Sequence, residues 1–144
     1  MATSNQAAWR VMQSHLAAMG YLEAAVIGEP MAPPEPVTAA IIPISVDVDE
    51  TTLTQPREVH TVALRFYADG LAEDREAVEF LLDQIRADIQ EDVFGDFTLG
   101  GEVAYALPTR FAARWGWQGI ASRMYRMLDL TVAYRIDERA TFTP

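Results

Sequence analysis

Long runs of alternating apolar residues are the feature of this sequence that most constrains its fold. Within residues 124–136, apolar side chains occupy every second position: Leu128, Leu130, Val132, Tyr134 and Ile136. A two-residue period puts all of them on one face of an extended chain, which predicts a long β-strand with one buried face. A fold for this chain must therefore contain a sheet and an apolar layer that covers it.

The same period predicts a second long strand at residues 38–48. Its apolar face consists of Ala40, Ile42, Ile44, Val46 and Val48. Pro43 lies inside the run and has no N–H for the ladder, so the strand is expected to lie at a sheet edge or to contain a bulge. Further strands are predicted at residues 21–27, 58–67 and 102–107.

Two segments show the helical period instead. Residues 4–19 carry one apolar stripe, and residues 74–89 carry another over about five turns. The resulting order is helix, three strands, helix and two strands, which predicts an α+β fold in which an antiparallel or mixed β-sheet is flanked by two α-helices. Residues 49–56 are predicted to form a polar loop, and residues 109–122 a second loop that contains Gly116 and Gly119.

The length, net charge and cysteine content of the chain argue against several classes of function. The 144 residues are expected to form a single domain over 1–144, and the net charge of −10 disfavours a nucleic-acid-binding groove. The absence of cysteine excludes disulfides and thiolate nucleophiles. No leader or membrane-spanning run is recognised, so a protein made in the cytoplasm without membrane contact is expected. No catalytic residue, cofactor site or metal site is predicted.

One acidic motif leaves chemical alternatives open. The segment DVDET at residues 47–51 follows an apolar strand, as in phosphatases of the haloacid-dehalogenase type, where Asp47 would attack phosphorus and Asp49 would act as acid and base. A calcium loop with Glu58 as its last ligand is a second alternative, but Thr52 stands where the turn needs glycine. The third is a solvated hairpin end. His15 and His60 are predicted to be surface or half-buried residues.

One aromatic and basic cluster stands out. Trp115 and Trp117 are flanked by Arg110, Arg114 and Arg123. Tryptophan and arginine dominate interface hot spots, because each buries a large area while it keeps a polar group. The sequence leaves open whether the two indoles fill the core or form an interface.

In the order and spacing of its patterns, the chain resembles the tail terminator proteins of long-tailed, siphovirus-type bacteriophages, particularly those that infect actinobacteria. Four segments carry the resemblance, and together they cover most of the chain: AWRVMQSHLAAMGYLEAAVIGEP, VALRFYADG, GDFTLGG and MYRMLDLTVAYRID. The resemblance implies a structural virion protein, not an enzyme. Another virion part of related build, such as a head-closure or tube subunit, stays open as an alternative.

The resemblance also implies partners and a location. Six copies are expected to close into a hexameric ring at the tail–neck junction, between the major tail tube protein and the head-completion, or connector, proteins. The ring would end tube polymerisation, and DNA would pass through its acidic lumen without specific binding. The candidate assembly contacts lie in the two predicted loops: Asp49, Glu50, Arg110, Arg114, Trp115 and Trp117.

Overall fold

In the computed structural model of the protein, two helices cover one face of a mixed β-sheet. The structure describes residues 6–20, 22–30, 34–49, 57–71, 73–95, 105–106 and 110–137. The helices are α1 (Gln6–Ala17) and α2 (Arg75–Gly95). The strands are β1 (Ala24–Ile27), β2 (Thr38–Asp49), β3 (Arg57–Asp69), β4 (Tyr105–Ala106), β5 (Ala112–Ile120) and β6 (Arg123–Asp137).

The strands fill five positions across the sheet. Their order is β1, β2, β3 and β6, and the outer edge of β6 is shared by β4 near its end and by β5 near its start. The β1–β2 pair is parallel, whereas every other pair is antiparallel. The prediction of an α+β fold with a mixed sheet and two helices is therefore confirmed.

The predicted apolar stripes of the two helices and of β6 form the main core, whereas the stripe predicted for β2 does not. Even-numbered residues of β3 and β6 pair directly, as Leu64 does with Leu130, so they share one face. Both helices pack on this face. Their buried contributions are Ala8, Met12 and Leu16 from α1 and Leu82, Ile85 and Ile89 from α2. We call this face of the sheet the helix face.

Local signals fix where α2 begins. Asp74 precedes the helix, and its Oδ1 accepts a hydrogen bond of 3.1 Å from the backbone N–H of Ala77. This is the bond of an N-cap residue, which satisfies a backbone donor that has no partner inside the helix. Glu76 adds a negative charge in the first turn, where the helix dipole favours it.

Pro43 has the effect that its missing N–H predicts. The β2–β3 register shifts between Pro43 and Ser45, so a bulge interrupts β2 there. Because β1 pairs only with Thr38 to Ile41, the part of β2 after the bulge also lies at an edge among the residues that the structure describes. Both predictions for Pro43 are confirmed.

The opposite face of the sheet has a smaller buried cluster. Tyr67 and Tyr125 meet edge to face, with ring centroids 5.7 Å apart. The Tyr125 hydroxyl donates a hydrogen bond of 2.7 Å to the Pro34 carbonyl oxygen. Beside them Arg65 donates two hydrogen bonds to the carboxylate of Asp129, at 2.7 and 3.1 Å. The hydrogen bond to Asp129 raises the pKa of Arg65. We call this side of the sheet, opposite the helices, the open face.

Candidate functional site

Most of the segment predicted as a loop at residues 109–122 is a strand, and Thr109 lies outside the described residues. Ala112–Ile120 forms β5, which pairs with β6 from Thr131 to Arg123 through a tight turn. The prediction of a loop was wrong, because Gly116 and Gly119 lower the strand propensity but a full-length partner strand supplies the backbone hydrogen bonds. The tryptophans therefore lie on an edge strand.

Trp117 packs against the start of α2. Its ring lies between two guanidinium groups, with Arg75 at 5.2 Å and Arg126 at 5.1 Å from the ring centroid. Arg126 also donates hydrogen bonds to Glu79, at 2.6 and 3.3 Å, and to the Gly116 carbonyl oxygen, at 3.1 Å. These contacts join β5, β6 and α2, so Trp117 has a structural role although 48% of it is exposed.

Trp115 has a different environment. It lies on the helix face opposite Leu128, 40% of it is exposed, and among the described residues its ring has no aromatic or cation contact. Arg114 is its neighbour on the open face and is exposed, as is Arg110 just before the strand. Within the described part of the chain neither arginine has an ion pair. These side chains remain available for contacts with another molecule.

The end of β2 forms a second exposed apolar surface. Ile44, Val46 and Val48 are exposed by 56%, 52% and 55%. Val46 and Val48 pair with His60 and Glu58, so they lie on the helix face. A cavity of about 310 Å³, which Trp9, His60 and Tyr134 help to line, opens beside Val46. The prediction of one apolar face for this strand was wrong, because the bulge places Ala40 and Ile42 on the open face and Val46 and Val48 on the helix face. The sequence also gives no sign that the last residues of the strand are uncovered.

The acidic candidates lie at the same end of β2. Asp47 is exposed and pairs with Val59, which places it on the open face. Asp49 ends the strand, and its side chain lies outside the described residues, as does all of Glu50. The two predicted assembly segments differ in position along the strands. Asp49 is level with Asp137 at one end of the sheet, whereas β5 extends from the level of Thr131 to that of Arg123.

This arrangement does not favour the phosphatase alternative. That hypothesis needs a doubly wound sheet and a helix after the DVDET motif, whereas the next element here is β3, antiparallel to β2. The described residues contain no group of three or more His, Cys, Asp or Glu side chains that could hold a metal ion. Neither described helix is long and apolar enough to cross a membrane.

The histidines have different environments. His15 is exposed and contacts Asp92 at 2.6 Å, in agreement with the prediction. His60 is buried, so the prediction of a surface or half-buried residue was wrong for it. Its Nε2 lies 2.8 Å from Glu58 Oε2, and its ring stacks on Tyr134 at 5.4 Å. The pairing of a histidine and a carboxylate satisfies two polar groups that would otherwise be costly to bury.

No protein-family model matches the chain, and no curated protein sequence matches it at a significant level. The likeness to tail terminators therefore rests on the four sequence segments and on the order of the elements.

Proposed function

We propose that this protein is a structural virion component of a long-tailed phage. In this proposal it forms a ring that caps the tail tube, ends tube polymerisation and joins the tail to the head-completion proteins. The observation that carries the proposal is a sheet with exposed apolar side chains at two separate edges, Trp115 on β5 and Ile44, Val46 and Val48 on β2.

Two such edges favour assembly into a ring. Exposed strand edges present unpaired backbone groups and, where apolar side chains lie beside them, attract other strands. Here they lie on opposite sides of the sheet, one at β2 and one at β5. A copy with two different contact surfaces can touch two neighbours at once, which is what a closed head-to-tail ring requires.

The charge of the chain fits the proposed passage of DNA. A net charge of −10 for each copy gives a hexamer about 60 negative charges. Phosphate groups are repelled by such a surface, so DNA in the lumen would slide without binding. The proposal treats DNA as cargo and the tube and connector proteins as the binding partners.

Mass measurement on the purified protein, alone and mixed with its tube protein, tests the proposal. We expect a ring, or a monomer that becomes a ring on tube ends. Negative-stain images separate a terminator from a tube subunit, because a terminator forms one ring whereas a tube protein stacks many. A protein that stays monomeric and never joins tube ends would contradict the proposal.

A further inference from the structure

We infer that neighbouring copies join by extending the sheet, so that the outer edge of β5 in one copy pairs antiparallel with residues 44–49 of β2 in the next. The inference rests on the proposed function in one respect, namely that the occupant of each edge is a second copy of this chain. It adds which strands meet, on which faces, and which charges pair.

Among the described residues, the outer sides of residues 112–117 of β5 and of residues 44–49 of β2 are open. Within the same described ranges, β1 covers β2 only from Thr38 to Ile41, and β4 covers β6 only at Tyr134 and Arg135. No described strand pairs with the outer side of β5 or with the outer side of β2 beyond Ile41. At Gly28, which has a φ of 94°, the chain leaves β1 in a conformation that glycine adopts readily. The incoming strand would lie beyond β1 on the same edge, and its last residues, 118–120, would bend away from β2 because β1 already pairs with Ile41.

The strand directions permit this pairing. Successive pairs β2–β3, β3–β6 and β6–β5 are all antiparallel, so β5 runs opposite to β2 within one copy. When a rotated copy continues the sheet, its β2 therefore lies antiparallel to β5 of the first copy. The helix faces stay on the same side of the extended sheet, as a ring requires.

Side-chain chemistry matches across the two edges. On the open face, Arg114 of β5 and Asp47 of β2 are exposed charges of opposite sign, and neither has an ion-pair partner among the described residues. If Arg114 is opposite Asp47, antiparallel pairing places Trp115 opposite Val46, and both lie on the helix face. One edge is basic and aromatic and the other is acidic and aliphatic, so each edge fits the other better than itself.

The stagger that this register imposes is compatible with closure. Within one copy, Arg114 pairs with Asp129, Asp129 with Arg65, and Arg65 with Ala40. Asp47 pairs with Val59, which lies six residues from Arg65 along β3, so Asp47 is six residues away from the level of Arg114. Neighbouring copies are thus displaced by about 20 Å along the strands. Over four strand positions, which span roughly 19 Å, this displacement corresponds to a strand tilt of about 45°, close to the tilt in closed barrels.

Charge reversal tests the pairing directly. In the Asp47→Arg variant two arginines meet at every contact, and in the Arg114→Asp variant two aspartates meet, so we expect each to lower the association constant severalfold. The double variant Asp47→Arg/Arg114→Asp restores opposite charges and should recover most of the association. Glu91→Arg is the matched control, since Glu91 is exposed on α2, away from both edges, and the change alters the net charge by the same amount as Asp47→Arg. It should associate at least as strongly as the wild type.

A mixture of the two single variants gives the sharper result. Each charge pair is complementary only when the two kinds of copy alternate, so an equimolar mixture should form rings that contain equal numbers of both. Native mass spectrometry of one isotope-labelled variant with the other unlabelled measures this composition. Circular dichroism of each variant verifies that it is folded.

The outcomes separate this inference from the proposed function. Rings that persist unchanged in both single variants would overturn the pairing of these edges and leave the ring itself intact. A wild-type protein that assembles into dimers or filaments, with the same reversal and rescue, would support the pairing and contradict the ring. A wild-type protein that never self-associates, in solution or on tube ends, would overturn both.

Discussion

Tyr134 lies where α1, β3 and β6 meet, and its hydroxyl is buried with them. Trp9 Nε1 donates a hydrogen bond of 3.1 Å to this hydroxyl, and the His60 ring stacks on the phenol at an angle of 5°. Burial raises the pKa of Tyr134 from 10.0 to about 12, although the bond from Trp9 opposes this shift. The chain thus contains a group whose protonation is linked to folding at alkaline pH.

The sign of the linkage leads to a prediction at this residue. Below pH 10 both folded and unfolded chains keep the proton, but between pH 10 and pH 12 only the folded chain does, so the free energy of unfolding falls as the pH rises. Two pKa units correspond to about 2.7 kcal/mol. The Tyr134→Phe variant should lose about 1 kcal/mol at pH 7 with the hydrogen bond from Trp9, and should decline less steeply above pH 10.

Urea unfolding at pH 8, 10 and 11, followed by circular dichroism, measures both slopes. Burial also raises the pKa of Tyr67, but this tyrosine is present in both proteins, so its contribution cancels in the comparison. Equal alkaline slopes for the wild type and the Tyr134→Phe variant would show that Tyr134 ionises alike in the folded and unfolded chain.

Among the elements, the turn from β3 into α2 depends on a close backbone approach. A Cβ atom at Gly70 would collide with the backbone carbonyl group of Met124 in β6, and backbone atoms cannot move aside cheaply. Gly70 lets the two strands stay paired up to Asp69 and Tyr125. The sequence shows a breaker at this position, but only the structure reveals the close contact.

We predict that Gly70→Ala destabilises the protein by about 1–3 kcal/mol, because the added methyl group forces a backbone shift. Gly20→Ala is the matched control, since its Cβ would have nothing within 4 Å. That variant should change the free energy of unfolding by less than about 0.5 kcal/mol. Thermal unfolding by calorimetry distinguishes the two, and equal midpoints would contradict the predicted collision.

The sequence predicts those strands whose own residues carry a clear two-residue period. The long strands β2, β3 and β6 carry unbroken two-residue periods, so they could be predicted almost to their ends. The period of β5 is hidden by glycines, and the turn after it uses Ala121 at a φ of 55°, where glycine or asparagine would have indicated a hairpin. β5 exists because β6 is long enough to pair with it.

For the candidate site, the sequence indicates which residues matter but not where the fold places them. Trp115, Trp117 and Arg114 could be selected from their chemistry alone, but their placement on a strand edge could not. The bulge at Pro43 places Val46 and Val48 on the helix face, and the described helices leave them exposed. This placement depends on distant pairings, which a local pattern does not encode.

For the whole molecule, charge opposes assembly while the edges favour it. Each copy carries a net charge of −10, so copies that approach one another repel over distances longer than any single contact. The proposed pair of Arg114 and Asp47 is one exposed ion pair at each contact, and such a pair contributes about 0–1 kcal/mol. The repulsion should therefore dominate the electrostatic free energy of assembly.

This balance predicts the direction of the salt dependence. Raising sodium chloride from 20 to 150 mM shortens the screening length to about 8 Å. The repulsion between copies then weakens more than the contact between adjacent side chains, so self-association should strengthen by roughly two- to tenfold. Sedimentation velocity at several protein concentrations measures the change, with Asp47→Asn as a control that removes the proposed pair and should strengthen with salt at least as steeply. Rings that dissociate as salt is added would show instead that pairs of opposite charge dominate the contacts between copies.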